Sequence, residues 1–357
     1  MTRRSVPRRV TILAGGTGGH IFPGLAVARR LVADGVDVRW LGTPHGLENR
    51  LVPTAGLPLD RVGIRGLRGR GLTGWLAAPF RILRAIVQSW RLLREHRPGC
   101  ALSMGGYAAG PAGVAARLLG VRLVIHEQNA VAGWTNRLLR PLAGIVCTGF
   151  PDVFEGARVT GNPVREEISA LPPPERRYAG REGPLRVLVI GGSQGAAVFN
   201  EIVPDALSRL DPADRPAVRH QGGRQWEDAR QRYADLGVEA EVSAFIDDMA
   251  DAWGWADVAI CRAGALTVAE LAAAGVPAVL VPFPGAVDDH QTENARFLAD
   301  RGGAWCVRQD EFDAERLARR LEDLDRETLS AMARRARARA MPDAADRVAA
   351  ACREVLA

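Results

Sequence analysis

The sequence predicts an α/β protein of two similar domains, each a parallel sheet covered by helices. Three observations carry this prediction. The chain starts the same way twice: the apolar run Arg9 to Ala14 leads into Gly15-Gly16-Thr17-Gly18-Gly19-His20, and Arg186 to Ile190 leads into Gly191-Gly192-Ser193-Gln194-Gly195-Ala196. A strand, a turn without Cβ atoms and a helix start aim backbone N–H groups and the positive end of a helix dipole at one spot, an anion cradle. Short β-branched runs alternate with helical periodicity along both halves, the pattern of parallel strands buried on both faces. The length, 357 residues, is that of two ordinary domains.

In the first half, strands are expected at Val10–Ala14, Val36–Leu41, Cys100–Met104, Arg122–His126 and Ile145–Thr148. Helices are expected at Pro23–Asp34, Pro79–Arg94 and Ala108–Leu119. Gly161-Asn162-Pro163-Val164-Arg165 reads as the crossing between domains, giving a first domain over 1–163 and a second over 164–341. Leu171 to Pro174 and Glu175 to Gly183 read as surface linker. The second half repeats the alternation, with strands at Val187–Ile190, Ala217–His220, Glu241–Phe245, Val258–Ile260 and Ala278–Val281. Its helices fall at Asn200–Arg209, Glu227–Leu236, Thr267–Ala274 and Gln291–Arg301. Pro342 sets off a last helix, within 342–357, that can return to the first domain.

Composition excludes several classes. Apolar residues make up 47% and charged residues 25% of the chain, as in soluble globular proteins. The five cysteines (100, 147, 261, 306 and 352) form no C-x-x-C pair, which argues against a disulfide framework or zinc site and fits a reducing cytosol. Val10 to Ala14 is too short for a signal peptide, and no run approaches the ~18 apolar residues of a spanning helix. All 47 basic residues are Arg, against 41 acids, for a net charge of +6. Arg65 to Arg97 holds eight of them beside Glu95 alone, a local +7, so the remainder sums to −1. The basic character is one patch with a local cause.

The first glycine loop is not a nicotinamide fingerprint. Ile21 stands where the third glycine of G-x-G-x-x-G belongs, and the second strand ends Trp40-Leu41-Gly42-Thr43 without a ribose-binding acid. A plain tight turn is the alternative to an anion site there. A third glycine cluster, Met104-Gly105-Gly106-Tyr107, again follows a strand, and such loops at strand carboxyl ends line the binding crevice of open α/β sheets. His126-Glu127-Gln128-Asn129, also at a strand end, is either a loop-shaping hydrogen-bond network or a substrate contact. In Cys261 to Glu270, the N–H groups of Ala265 to Thr267 would be free for phosphate. Glu270 is read in the first turn of that helix, as a cap or as acceptor of two ribose hydroxyls. Asp288-Asp289-His290-Gln291 offers the fan of carboxylates and amides that sugar hydroxyls need. No metal site is expected: Asp323-Leu324-Asp325 sits in an Arg-rich helical stretch, and a departing diphosphate would rely on helix dipoles and on Arg165 or Arg262. From Pro79 to Glu95, Arg81, Arg84, Gln88, Arg91 and Glu95 form one helical stripe, with Phe80, Leu83, Ile86, Val87, Trp90 and Leu93 around the rest. Together with Trp75 and Leu76 upstream, this is either a packed helix with an exposed Arg stripe or a docking face for an anionic membrane. Nucleic acid is not an expected partner, because no nucleic-acid motif accompanies the patch.

Gly15 to Pro23, Gly105 to Tyr107, His126 to Asn129, Gly161 to Arg165, Gly191 to Ala196 and Cys261 to Thr267 together resemble the MurG family, the bacterial UDP-N-acetylglucosamine transferases of peptidoglycan synthesis. The resemblance spans nearly the whole chain, in the family's order. It implies a GT-B architecture, two Rossmann-like domains facing a deep cleft, and a cofactor-free inverting transfer of N-acetylglucosamine from UDP to the C4 hydroxyl of lipid I, the undecaprenyl-diphosphate-linked N-acetylmuramoyl pentapeptide, to give lipid II. The first domain would take the lipid acceptor at the cytoplasmic face of the cell membrane, and the second the UDP-sugar. The backbone of Ile246 would meet the uracil and Glu270 the ribose. Ser193 and the turn Ala265, Leu266 and Thr267 would hold the diphosphate, with Val268 and Ala269 completing that stretch. Asn129, Arg165 and Gln291 would contact the donor or its sugar. Thr17, Gly18 and Gly19 would border the donor, and Gly105 and Gly106 the acceptor diphosphate. The base for the C4 hydroxyl would be His20, whose ordinary pKa suits the task, with Glu127 as the competing candidate. Two departures stand out: Ala109 replaces a serine common in relatives, and His290 replaces a glutamine found before Gln291. Alternatives are another GT-B glycolipid synthase using a UDP-sugar and a membrane scaffold that keeps a nucleotide site.

Overall fold

Strands form where the sequence carries short β-branched runs, and helices bridge them. The computed structural model describes residues 8–64, 78–192 and 195–356. The chain divides into two units, residues 1–165 with 341–357, and residues 166–340.

Unit 1 runs β1 (Arg9–Leu13), α1 (Gly18–Ala33), β2 (Asp37–Gly42), α2 (Glu48–Thr54), β3 (Leu59–Arg61), α3 (Ala78–His96), β4 (Cys100–Ser103), α4 (Ala109–Leu118), β5 (Arg122–Glu127), α5 (Trp134–Leu139), β6 (Ile145–Thr148) and β7 (Arg158–Val159). Among the described residues these strands form one parallel sheet in the order β3-β2-β1-β4-β5-β6-β7. β1 is central, with Leu13 in register with Leu41 on one side and Ser103 on the other. Successive β1 side chains point to opposite faces. Val10 and Ile12 therefore join one apolar cluster with Ile21, Leu31 and Trp40, and Leu13 joins another with Ala85, Leu93, Ala112 and Leu123.

Unit 2 runs α6 (Glu166–Ser169), α7 (Pro174–Tyr178), β8 (Arg186–Ile190), α8 (Ala197–Ser208), β9 (Ala217–Gln221), α9 (Trp226–Asp235), β10 (Glu241–Ser243), α10 (Met249–Trp255), β11 (Val258–Cys261), α11 (Ala265–Ala274), β12 (Ala278–Leu280), α12 (His290–Ala299), β13 (Ala304–Cys306), α13 (Ala314–Glu322) and α14 (Arg326–Arg337). Its parallel sheet has the order β10-β9-β8-β11-β12-β13. The last helix, α15 (Ala344–Leu356), packs on α1, and its Val348, Ala349 and Cys352 complete the first cluster of unit 1. In each sheet the winding reverses beside the first strand, at β1/β4 and at β8/β11. Ligands of open α/β sheets bind at such switch points, outside the strand carboxyl ends.

The structure departs from expectation in four places. α1 starts at Gly18 rather than Pro23, so Pro23 lies inside the helix. The short elements α2, β3, α5, β7, α6, α10 and β13 were not expected; pieces of seven residues or fewer carry too little periodicity to read. The supposed linker is folded: Arg177 and Tyr178 are buried, and Arg177 donates to the carbonyls of Trp253, Ala274 and Gly275 while Tyr178 Oη donates to Asp257 O. Arg177 thereby satisfies carbonyls left open at the end of α11. Asp325 lies between helices, not within one, and caps α14 by accepting from Thr328 N at 2.7 Å.

Candidate active site

In unit 1 the loop after β1 turns at Gly16, whose φ of +101° only glycine holds without strain. Its amide is occupied: Gly16 N donates to Glu48 Oε2 at 3.1 Å. The other oxygen of Glu48 accepts from Thr43 N at 2.7 Å and Thr43 Oγ1 at 2.6 Å, and the side chain is fully buried. The chain's own carboxylate fills the part of this anion cradle formed by Gly16. Thr17 is the extended residue before α1, and Thr17, Gly18 and Gly19 stand at its mouth.

His20 lies in the first turn of α1, half-buried, with Nδ1 3.3 Å from Thr17 Oγ1. Gly105 and Gly106, at φ +86° and +82°, close over it. A Cβ on Gly105 would sit 3.2 Å from His20 Cδ2 and 3.3 Å from Nε2, and one on Gly106 would sit 2.8 Å from Gly15 O. Gly105 is therefore glycine because its backbone approaches an imidazole, and Gly106 because its backbone approaches the Gly15 carbonyl. Burial lowers the His20 pKa, and the Glu127 carboxylate partly opposes that shift.

The His126 to Asn129 segment is a buried network. Glu127 Oε1 accepts from Asn129 N at 3.0 Å and Asn129 Nδ2 at 3.3 Å; Oε2 accepts from Gly133 N at 3.0 Å and Asn136 Nδ2 at 2.9 Å. His126 Nε2 lies 2.9 Å from Gly161 O, and burial lowers its pKa against that hydrogen bond and Glu127. Asn162 Nδ2 donates to Gln128 O at 2.9 Å. Asn136, from α5, also accepts from Ser103 Oγ at 3.2 Å, so it ties the ends of β4 and β5 together. The guanidinium of Arg165 stacks on the Phe22 ring at 5.4 Å.

In unit 2, Gly191 has no room for a Cβ, which would lie 2.3 Å from Ala196 N, and Gly192 takes φ +83°. Ser193 and Gln194 lie outside the described residues. The buried Gln221, at the end of β9, donates from Nε2 to Gly192 O at 2.9 Å and accepts at Oε1 from Ile246 N at 3.0 Å. The first bond of the α11 ladder runs from Val268 N to Gly264 O at 2.9 Å, so the amides of Ala265, Leu266 and Thr267 precede it. Val268 is buried, and Ala269 half-buried, in the following turn.

Glu270 is the sixth residue of α11, not in its first turn, so it does not cap the helix. It is buried, and Oε2 accepts from Trp253 Nε1 at 3.2 Å. Arg262 turns into the fold: it donates to Val281 O, Pro282 O and Gln309 Oε1, and packs over the rings of Phe199 and Phe283. That removes the reading of Arg262 as a phosphate ligand. Gln291 Oε1 accepts from Phe283 N at 2.9 Å, while Asp288 and Asp289 bend the loop before it with φ of 53° and 48°.

Sequence reasoning missed Glu48, Asn136, Gln221 and Trp253. Each is a lone polar or indole group within an unremarkable stretch, and its importance lies in a partner at least six residues away, apart from the Glu48 contacts with Thr43. The usable signal was that Glu48 follows the end of β2, where an open α/β sheet places its loops.

The helix α3 buries Ala78, Ala85, Ser89, Leu93 and His96. Phe80 is 77% and Leu83 59% exposed, with Ile82 and Val87 also exposed among Arg81, Arg84 and Arg91. The small residues pack toward α4, and much of the apolar set points outward. Trp75, Leu76, Arg65, Arg68 and Arg70 lie outside the described residues. Among the described residues no helix is long and apolar enough to cross a membrane.

Residues 10–147 match the glycosyltransferase family 28 N-terminal domain, and residues 186–348 match the family 28 C-terminal domain. The chain is 57% identical over 350 residues to the UDP-N-acetylglucosamine–N-acetylmuramyl-(pentapeptide) pyrophosphoryl-undecaprenol N-acetylglucosamine transferase of Alkalilimnicola ehrlichii, covering 97% of this chain and 98% of that protein. The transferase of the same name from Chromohalobacter salexigens is 55% identical over 99% of this chain and 98% of its own length. The crystal structure of Acinetobacter baumannii MurG superposes with a TM-score of 0.85 at 42% identity, covering 98% of this chain and all of that one. Two Rossmann-like parallel sheets of the GT-B kind, both family domains in order and full-length likeness place this chain in glycosyltransferase family 28.

Proposed function

We propose that the protein transfers N-acetylglucosamine from UDP to the C4 hydroxyl of lipid I, with inversion, to give lipid II for peptidoglycan. The observation that carries this reading is likeness to transferases of that printed activity, 57% identical across 97% of this chain.

Unit 2 is the donor domain in this reading. The amides of Ala265, Leu266 and Thr267 and the dipole of α11 take the diphosphate, a role that the family resemblance extends to Ser193. Ile246 offers backbone to the uracil. The buried Glu270, held by the Trp253 indole, presents its carboxylate to the ribose hydroxyls. Gln291, Asn129 and Arg165 address the sugar, and Thr17, Gly18 and Gly19 border it. Unit 1 is the acceptor domain, with Gly105 and Gly106 toward the lipid diphosphate.

His20 serves as the base. Burial favours its neutral imidazole, and in the tautomer that places Nδ1–H toward Thr17 Oγ1, 3.3 Å away, Nε2 carries the lone pair. As the acceptor oxygen attacks the anomeric carbon, its proton passes to His20. The bond from that carbon to the diphosphate oxygen breaks, and the electron pair leaves with UDP. Glu127 fits this chemistry less well: each of its oxygens already accepts from two donors, so it organises the loop that carries Asn129.

A lipid-borne acceptor requires a membrane, and α3 supplies a suitable face. Phe80, Ile82, Leu83 and Val87 stand exposed among arginines, as befits a peripheral helix on the anionic cytoplasmic leaflet. The deciding assay offers radiolabelled UDP-N-acetylglucosamine with lipid I or with diacylglycerol. Label on lipid I alone is the expected result. Transfer to diacylglycerol identifies a different glycolipid synthase, and no transfer at all leaves only a nucleotide-binding scaffold.

A further inference from the structure

We infer that Gln221 is a positioning residue of the donor site: its single buried carboxamide ties the segment at Ile246 to the glycine turn at Gly192. This rests on the donor reading given above, in which Ile246 faces the nucleobase and the glycine turn the diphosphate. Gln221 ends β9 and is 3% exposed. Nε2 donates to Gly192 O at 2.9 Å, and Oε1 accepts from Ile246 N at 3.0 Å. A carboxamide alone among uncharged side chains of this length offers a donor and an acceptor on two forked atoms. The bond to Ile246 N fixes the peptide plane joining Phe245 and Ile246, and so the direction in which this backbone meets a base. The bond to Gly192 O holds a residue at φ +83°, where backbone freedom is greatest.

The platform around Gln221 is itself rigid. Gly222 N donates to Ser243 O at 2.9 Å, and Gly222 O accepts from Asn200 Nδ2 at 3.1 Å. A Cβ on Gly195 would lie 2.6 Å from Gly222 O, so the glycine turn is laid directly on the residues after Gln221. Gln221 therefore fixes the spacing between the two halves of the nucleotide site, and base recognition and diphosphate recognition depend on one side chain.

Steady-state kinetics with UDP-N-acetylglucosamine and lipid I test this, beside UDP titration and thermal melts of each variant. Gln221→Met removes both bonds at similar volume. It should raise the donor KM about tenfold, on the scale of one or two lost hydrogen bonds, with kcat and the lipid I KM within about twofold. It should also lower the preference for UDP-N-acetylglucosamine over CDP-N-acetylglucosamine. Gln221→Glu keeps an acceptor for Ile246 N and loses the donor to Gly192 O. It should keep that base preference while the donor KM still rises. Glu270→Ala serves as the reference for the donor reading. If it raises the donor KM and Gln221→Met does not, the Gln221 inference alone is overturned. If neither raises it, the donor reading falls too. A lowered melting temperature and kcat with unchanged KM values would reduce Gln221 to a structural residue and overturn the inference.

Discussion

His20 has an imidazole whose proton affinity is set by burial and by one carboxylate. As the base it must be neutral, so activity should fall as pH drops through its folded-state pKa, which lies below the ordinary 6.5. The pH profile of kcat/KM should show its acid limb below that value. His20→Ala should lower kcat by roughly 10²–10⁴, the usual range for general-base catalysis, while UDP affinity measured by titration stays within about twofold. Near-normal turnover would remove His20 from the role. Glu270→Ala should weaken UDP binding by about 1–3 kcal/mol, the cost of leaving buried hydroxyls unpaired; an unchanged titration would remove Glu270 from the ribose. His20 and Glu270 stand out in the sequence as candidates because each lies in a segment that passes from a strand through a glycine turn into a helix. Glu48 and Gln221 could not, because what distinguishes them is the remote backbone they hold, and no local spacing encodes a hydrogen bond from Gly16 to Glu48 or from Ile246 to Gln221.

At the scale of elements, periodicity located the long helices and left the facing of α3 open. Its polar stripe is exposed at Arg81, Arg84, Arg91 and Glu95, but Phe80 and Leu83 share the exposed surface while the small residues Ala78, Ala85 and Ser89 are buried. Small residues allow close packing on the neighbouring α4, and the hydropathy pattern cannot register that preference. Replacing Phe80 and Leu83 together by Ser should abolish sedimentation with anionic vesicles and leave UDP titration unchanged; undiminished vesicle binding would refute the membrane role of α3. The glycine loops give a second element-scale expectation. Gly105→Ala combines φ +86° with a methyl 3.2 Å from the His20 ring, so turnover should drop at least about tenfold with the UDP titration unchanged. Unaffected turnover would mean that the loop and imidazole can separate without consequence.

For the whole molecule, the repeated strand–glycine–helix opening was enough to announce two sheets, while their strand order had to come from the structure. The histidines also act together. His20, His126 and His220 all have pKa values lowered by burial, His220 to about 4. A lowered histidine pKa means that the unfolded chain binds the proton first. The stability this represents is complete above pH 6.5 and is lost as pH falls toward the folded-state values. For His220, from 6.5 to about 4, the loss is on the order of 3 kcal/mol. Melting temperature should therefore decline between pH 6.5 and 4, and His220→Phe should flatten part of that decline; an equally steep decline would assign acid sensitivity elsewhere.

The placement of α15 reaches into biosynthesis. Residues 344–356 supply Val348, Ala349 and Cys352 to the core around β1, so the first lobe is completed by residues synthesised after the second. The middle of the chain can reach its native state while the opening strands still lack one wall. Loss of the segment after residue 343 would thus damage the first lobe and spare the second.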